Sequence, residues 1–151
     1  LNLGGAVAAN PRFASCPSAG CLFTSPASAP AAVEAAHLDP DGKLDLIISD
    51  AGDQAVLVLR GKGDATFEAP LSYPLEESPE AITSADFNGD GRLDIAVTLP
   101  DADAVQVFLG LGNGTLSPLP PVAVAAAPSS LIAADFNADG RPDLATASEI
   151  Q

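Results

Sequence analysis

The segment DFNGDGRLDIAVT at 86–98 returns as DFNADGRPDLATA at 135–147, and more loosely as HLDPDGKLDLIIS at 37–49. The first positions fall at 37, 86 and 135, a spacing of 49 residues both times. The register holds beyond these stretches, since AVLVLRGKGDATF (55–67) matches AVQVFLGLGNGTL (104–116) at the same offset without a gap. Constant spacing over that distance marks duplicated supersecondary units, each of which buries its apolar face against a neighbour. Any fold for this chain has to repeat every 49 residues.

Each unit reads as strands and turns. In the middle unit EAITSADF (80–87) and LDIAVTL (93–99) are strand-like on either side of the acidic turn. AVQVFL (104–109) has the continuous apolar character of a strand buried on both faces. Gly110, Gly112, Asn113 and Gly114 then supply hairpin chemistry, because Gly and Asn accept positive φ at low cost. Beyond them Pro118, Pro120 and Pro121 confine the next segment to an edge strand or loop. No long stretch shows a helical period. The expected architecture is all-β, with propeller-type blades of four antiparallel strands and about 49 residues per repeat. The units are 30–78, 79–127 and a shorter third at 128–151, preceded by a segment at 1–29. Closed propellers take about four to eight blades, so this chain reads as a partial propeller completed by further blades from the same or another chain.

The turns carry the chemistry. Asp86, Asn88, Asp90 and Asp94 occupy positions one, three, five and nine of the middle loop, with Gly91 at six. Carboxylates about 5 Å apart repel by roughly 3 kcal/mol per pair at an effective dielectric of 20. Such crowding asks for a cation. Oxygen ligands alone, with the Arg92 carbonyl able to join them, select a hard ion, and an irregular loop suits Ca²⁺ better than Mg²⁺. The competing reading is a surface turn in which Asp and Asn cap local backbone. An EF-hand needs Glu at position twelve and flanking helices, whereas Ile48, Val97 and Thr146 stand there before β-branched runs.

ADFNGDGRLDIAV (85–97), AADFNADGRPDLA (133–145) and the GKGDATF and GLGNGTL turns resemble the FG-GAP/VCBS repeat family, the blades also found in integrin α-subunit propellers. The resemblance covers about residues 30–151. It implies a Ca²⁺ site in the loop between the first two strands of a blade. The implied ligands are Asp86, Asn88, Asp90 and Asp94, then Asp135, Asn137, Asp139 and Asp143, with the Arg92 and Arg141 carbonyls. In the first unit His37 replaces the leading Asp, which leaves Asp39, Asp41, Asp45 and the Lys43 carbonyl. Imidazole is a poor ligand for a hard cation, so two strong sites and one weaker site at His37–Asp45 are expected.

Charge and cysteine usage narrow the setting. A net charge of −14 disfavours nucleic acid and anionic membranes, and no apolar run is long enough to span a bilayer. The chain starts at Leu1 without a basic leader and reads as a piece of a longer precursor. Cys16 and Cys21 in CPSAGC read as a short disulfide in an oxidising compartment, with two free thiols as the alternative. CLFTS (21–25) reads as the outer strand of a preceding blade. The expected role is a non-catalytic, secreted or cell-surface scaffold for adhesion or ligand binding, with calcium stabilising each blade. Its partner would be a protein or a glycan, met by Ser49–Gln54 and Pro100–Asp103. The alternative is an accessory region of a larger secreted hydrolase or lyase whose catalytic domain lies elsewhere. An enzyme within these residues is disfavoured: neither G-x-S-x-G nor H-E-x-x-H occurs, and Asp101 and Asp103 read as turn residues in place of a glycosidase pair.

Overall fold

The computed structural model describes residues 27–148. The CPSAGC pair and the CLFTS segment lie outside these residues. The first unit folds as an antiparallel sheet in chain order, β1 (Pro30–Ala36), β2 (Asp45–Asp50), β3 (Ala55–Leu59) and β4 (Leu71–Pro74). The second follows the same plan with β5 (Ile82–Ala85), β6 (Asp94–Leu99), β7 (Ala104–Gly110) and β8 (Leu116–Pro118), while β9 (Val122–Ala123) also pairs with β7. In the third, β10 (Pro128–Ala134) pairs with β11 (Asp143–Ser148). The fold is all-β, its antiparallel four-strand sheets are propeller-type blades, and among the described residues no sheet closes on itself.

The duplication reaches the register. A bulge between Pro30 and Ala32 in β1 recurs between Pro128 and Ser130 in β10, the same place two repeats on. The hairpins at 61–67 and 110–116 share their bonds as well. The Lys62 amide donates to the Thr66 carbonyl and the Leu111 amide to the Thr115 carbonyl. Asp64 Oδ1 accepts the amide and hydroxyl of Thr66, as Asn113 Oδ1 accepts those of Thr115. Asn113 therefore acts through its side chain, and positive φ falls on Gly112 and Gly114. The outer strand of the second blade is split, because Pro120 and Pro121 offer no donors between β8 and β9.

Period-two patterning sorts the core into two faces. Ile47, Val56 and Val58 of the first blade meet Ile95, Val97, Leu99 and Phe108 of the second. Ile48, Leu57 and Leu59 point the other way and pack with Phe67. Strand β3 is thus buried on both faces; β7 is less so, with Gln106, Val107 and Leu109 half-buried beneath a broken outer strand. Phe108 is fully buried and meets Tyr73 edge-on at 6.1 Å, and burial of such a ring contributes roughly 2–3 kcal/mol. The Tyr73 hydroxyl accepts the Leu116 amide at 2.9 Å, and the Ser49 hydroxyl donates to the Glu80 carbonyl at 2.9 Å, so polar bonds also cross between blades.

Candidate functional site

The acidic loops connect β1 to β2, β5 to β6 and β10 to β11, the same corner of every unit. In the middle loop the leading carboxylate organises the backbone. Asp86 Oδ1 accepts the amides of Gly89 and Asp90 at 2.7 and 3.0 Å, and Oδ2 accepts that of Gly91 at 2.7 Å. Gly89 and Gly91 both adopt positive φ there, which glycine permits without a Cβ clash. Asn88 Oδ1 accepts the Asp90 amide, and Asp90 Oδ1 accepts the Arg92 amide. The third loop repeats most of this, with Asp135 holding the amides of Asp139 and Gly140, and Asp139 holding that of Arg141.

Position nine behaves differently. Asp94 is fully buried; its Oδ2 accepts the Phe87 amide at 3.1 Å and its Oδ1 accepts the Gly110 amide at 2.8 Å. Asp45 does the same in the first blade, with the Leu38 and Gly61 amides at 3.0 and 2.9 Å. Each carboxylate straps the acidic loop to the hairpin that follows. The glycine in that strap is obligatory for its closeness: a Cβ on Gly110 would stand 2.0 Å from the Leu93 carbonyl oxygen, and one on Gly61 2.1 Å from that of Leu44. The pattern of spacing does not reveal this role. The pairing of a position-nine Asp with a glycine sixteen residues later, present in both units, is the signal that could have done so. Asp143 is half-buried and accepts the Phe136 amide.

The first loop departs at its start. His37 cannot accept the amides that Asp86 gathers; its Nδ1 lies 2.7 Å from the Lys43 carbonyl oxygen and donates there when that nitrogen is protonated. The carbonyl expected to face a cation is thereby engaged. This loop also abuts the second blade, since the Gly114 amide donates to the Leu38 carbonyl at 3.2 Å.

The basic residue at position seven sits over its neighbours in two loops. Lys43 Nζ is 2.8 Å from Asp41 Oδ2, and Arg92 Nη2 is 2.6 Å from Asp90 Oδ2. Hydrogen bonds from the Lys43 side chain and then its amide hold the Asp41 carboxyl below the ordinary carboxylate range, and Asp41 in turn raises Lys43. Partial desolvation works to raise Asp90, but hydrogen bonds from Asn88 and Arg92 outweigh it, and the carboxyl is held low.

Among the described residues no three His, Cys, Asp or Glu side chains form a metal-holding group. The carboxylates are turned toward amides and basic heads, and position three is Asn in two of the loops. The chemistry of the donor set nonetheless suits a hard dication. It is all oxygen, and a carboxylate has about four acceptor positions, so Asp86 and Asp90, which each accept three N–H bonds, keep one free. The expected partner loops at 49–54 and 100–103 lie apart from these sites. Asp103 Oδ1 accepts the Ala127 amide at 2.8 Å, and a groove of about 430 Å³ beside that turn is lined by Leu75, Glu76, Leu99, Gln106 and Leu119 among others.

A family model described as FG-GAP-like repeat matches the chain twice, over residues 37–97 and 86–146. Comparison with curated proteins finds no match.

Proposed function

The chain belongs to the FG-GAP-like repeat family, and on that premise we propose that it is a non-catalytic, calcium-stabilised propeller region serving as an extracellular adhesion or ligand-binding scaffold. The observation that carries the calcium reading is the all-oxygen acidic loop repeated at the same corner of every unit, with a buried carboxylate at position nine of the first two. Asp45 and Asp94 are 1% and 0% exposed, and among the described residues neither has a Lys or Arg within ion-pair distance. Backbone amides satisfy both carboxylates, as they do the equally buried Asp50 outside the acidic loops, but they bring no opposite charge. A cation in the loop would supply that charge.

Asp86, Asn88, Asp90 and Asp94 with the Arg92 carbonyl would hold one ion, and Asp135, Asn137, Asp139 and Asp143 with the Arg141 carbonyl a second. Asp39, Asp41 and Asp45 would hold a third more weakly, because His37 engages the Lys43 carbonyl. Bound Ca²⁺ supplies the shared positive charge that lets these oxygens approach one another. The strap through Asp45 and Asp94 passes that order to the hairpins at Gly61 and Gly110. Three dications would bring the net charge from −14 to −8. That balance still disfavours nucleic acid and membrane insertion, and no described helix is long and apolar enough to cross a membrane. Repeats of this family are typical of extracellular proteins, where calcium near 10⁻³ M suits sites of modest affinity. The ligand, a protein or a glycan, would meet the loops at 49–54 and 100–103 and the groove beside the latter.

Calorimetric titration of the chelator-stripped chain with calcium, and separately with magnesium, tests the reading. Saturable heat with calcium alone is expected. The absence of heat with either ion would refute it.

A further inference from the structure

We propose that the basic side chain at loop position seven, Lys43 or Arg92, is a built-in counter-cation, held on a glycine shelf of the next hairpin, that occupies the position-five carboxylate until a divalent cation displaces it. It thereby sets the loop's affinity for that cation. The inference rests on the calcium reading above and deepens it.

The shelf is visible as close packing. A Cβ built on Gly112 would stand 2.6 Å from Arg92 Cδ and 3.4 Å from its Cγ. One on Gly63 would stand 3.3 Å from Lys43 Cδ and 3.4 Å from its Cγ. In both blades the aliphatic stem lies where any other residue would put its side chain, and the head lies on the carboxylate two residues back. An exposed ion pair on a free surface is ordinarily worth little, because two long side chains must be held in one geometry. Here the stem is already restrained by the hairpin, so less freedom is lost on pairing.

The third loop offers a comparison within the same chain. Arg141 follows Asp139 at the same spacing, and its amide still donates to Asp139 Oδ1 at 2.8 Å. Among the described residues, which stop ahead of the position of this unit's hairpin, Arg141 makes no ion pair. Asp90 Oδ2 also accepts Asn88 Nδ2 at 3.0 Å, as Asp139 Oδ2 accepts Asn137 Nδ2 at 3.1 Å with no guanidinium beside it. A cation entering the second loop has to displace the guanidinium from Asp90 Oδ2.

The test is a calcium titration of the full ¹⁵N-labelled chain, with the Gly91 and Gly140 amides reporting the second and third loops separately. Arg92→Met keeps an unbranched stem over Gly112 and removes the charge. It should tighten calcium binding at Gly91 by about two- to fivefold, the scale of an exposed pair. Arg141→Met, which keeps the Arg141 carbonyl, should gain less at Gly140. Unaltered or weaker binding in Arg92→Met, or an equal gain in Arg141→Met, would overturn the proposal. Should the parent chain bind no calcium, the calcium reading and the affinity role fail together. The pinned pair is judged apart from them, by the Arg92 Nε–Hε signal in chelator. Asp90→Asn should shift that signal, while Asp139→Asn leaves that of Arg141 in place; no shift in Asp90→Asn refutes the pair.

Discussion

The loops at 37–45 and 86–94 share Asp at positions five and nine, Gly at six and a basic residue at seven, yet their backbones are organised from opposite ends. In the second, Asp86 gathers the amides of Gly89, Asp90 and Gly91 and so folds the turn from its start. In the first, His37 reaches across to the Lys43 carbonyl and closes the turn from its finish. Position four reinforces the difference. Gly89 has φ +76°, a region closed to Pro40, whose ring fixes φ near −65°. What survives in both is the tail of the loop, with a buried Asp bonded to the loop's second amide and to the hairpin glycine. The comparison separates two jobs. Position nine ties the loop to the blade, and position one organises the turn itself.

The largest effect should come from what the loops share. Asp94→Ala leaves the Phe87 and Gly110 amides without their acceptor, and at about 1–3 kcal/mol for each buried unsatisfied group it should cost roughly 3 kcal/mol. Asp45→Ala should match it, while half-buried Asp143, which holds the Phe136 amide, should lose about 1 kcal/mol. Urea unfolding of the three variants in chelator checks the order; an equal loss at Asp143 would break the division of labour.

Next come changes at position one. His37→Asp combined with Pro40→Gly gives the first loop the leading residues of the second and frees the Lys43 carbonyl. With calcium at about 100-fold excess over Kd, a newly competent site adds up to ~2.7 kcal/mol of stability, read as a calcium-dependent rise in urea midpoint. No gain over the parent would mean that position one does not decide competence.

A smaller effect is expected where the repeats disagree on a left-handed residue. Ala65 and Ala138 carry φ +65° and +60° where the second repeat has Gly114 and Gly89. Ala65→Gly and Ala138→Gly should each stabilise the chain by about 0.5–1 kcal/mol, the strain relieved less the entropy of glycine. Denaturation midpoints resolve the sign.

The smallest signal is pH. Asp41 and Asp90 are both depressed, so what they contribute is present above the unfolded carboxylate value and is lost as pH falls through the lower folded one. Lys43 is raised, so its share is present below its unfolded value and lost only as pH rises through the folded one. Carboxyl NMR should show Asp41 and Asp90 titrating below the ordinary carboxylate range, and Lys43→Met should return Asp41 toward it.

Much of this was legible in the sequence. The constant repeat placed the strands, the hairpins and the acidic turns, because each unit buries the same apolar positions against the next. The sequence also singled out His37 as the departure in the first loop. Less legible was the burial of Asp45 and Asp94, since nothing in a row of carboxylates says which one turns inward. Gly61 and Gly110 read as turn glycines, whereas their requirement is room beside the Leu44 and Leu93 carbonyls. Pro40 was legible but is informative only once Gly89 is seen to need a left-handed backbone.

The most direct test is thermal unfolding of the full chain in chelator, in calcium and in magnesium, for the parent and for Asp41→Ala, Asp90→Ala and Asp139→Ala. The midpoint of the parent should rise with calcium and not with magnesium. Asp90→Ala and Asp139→Ala should each remove a large part of that rise, and Asp41→Ala little of it. A parent midpoint indifferent to calcium, or a rise lost equally in all three variants, would contradict the account.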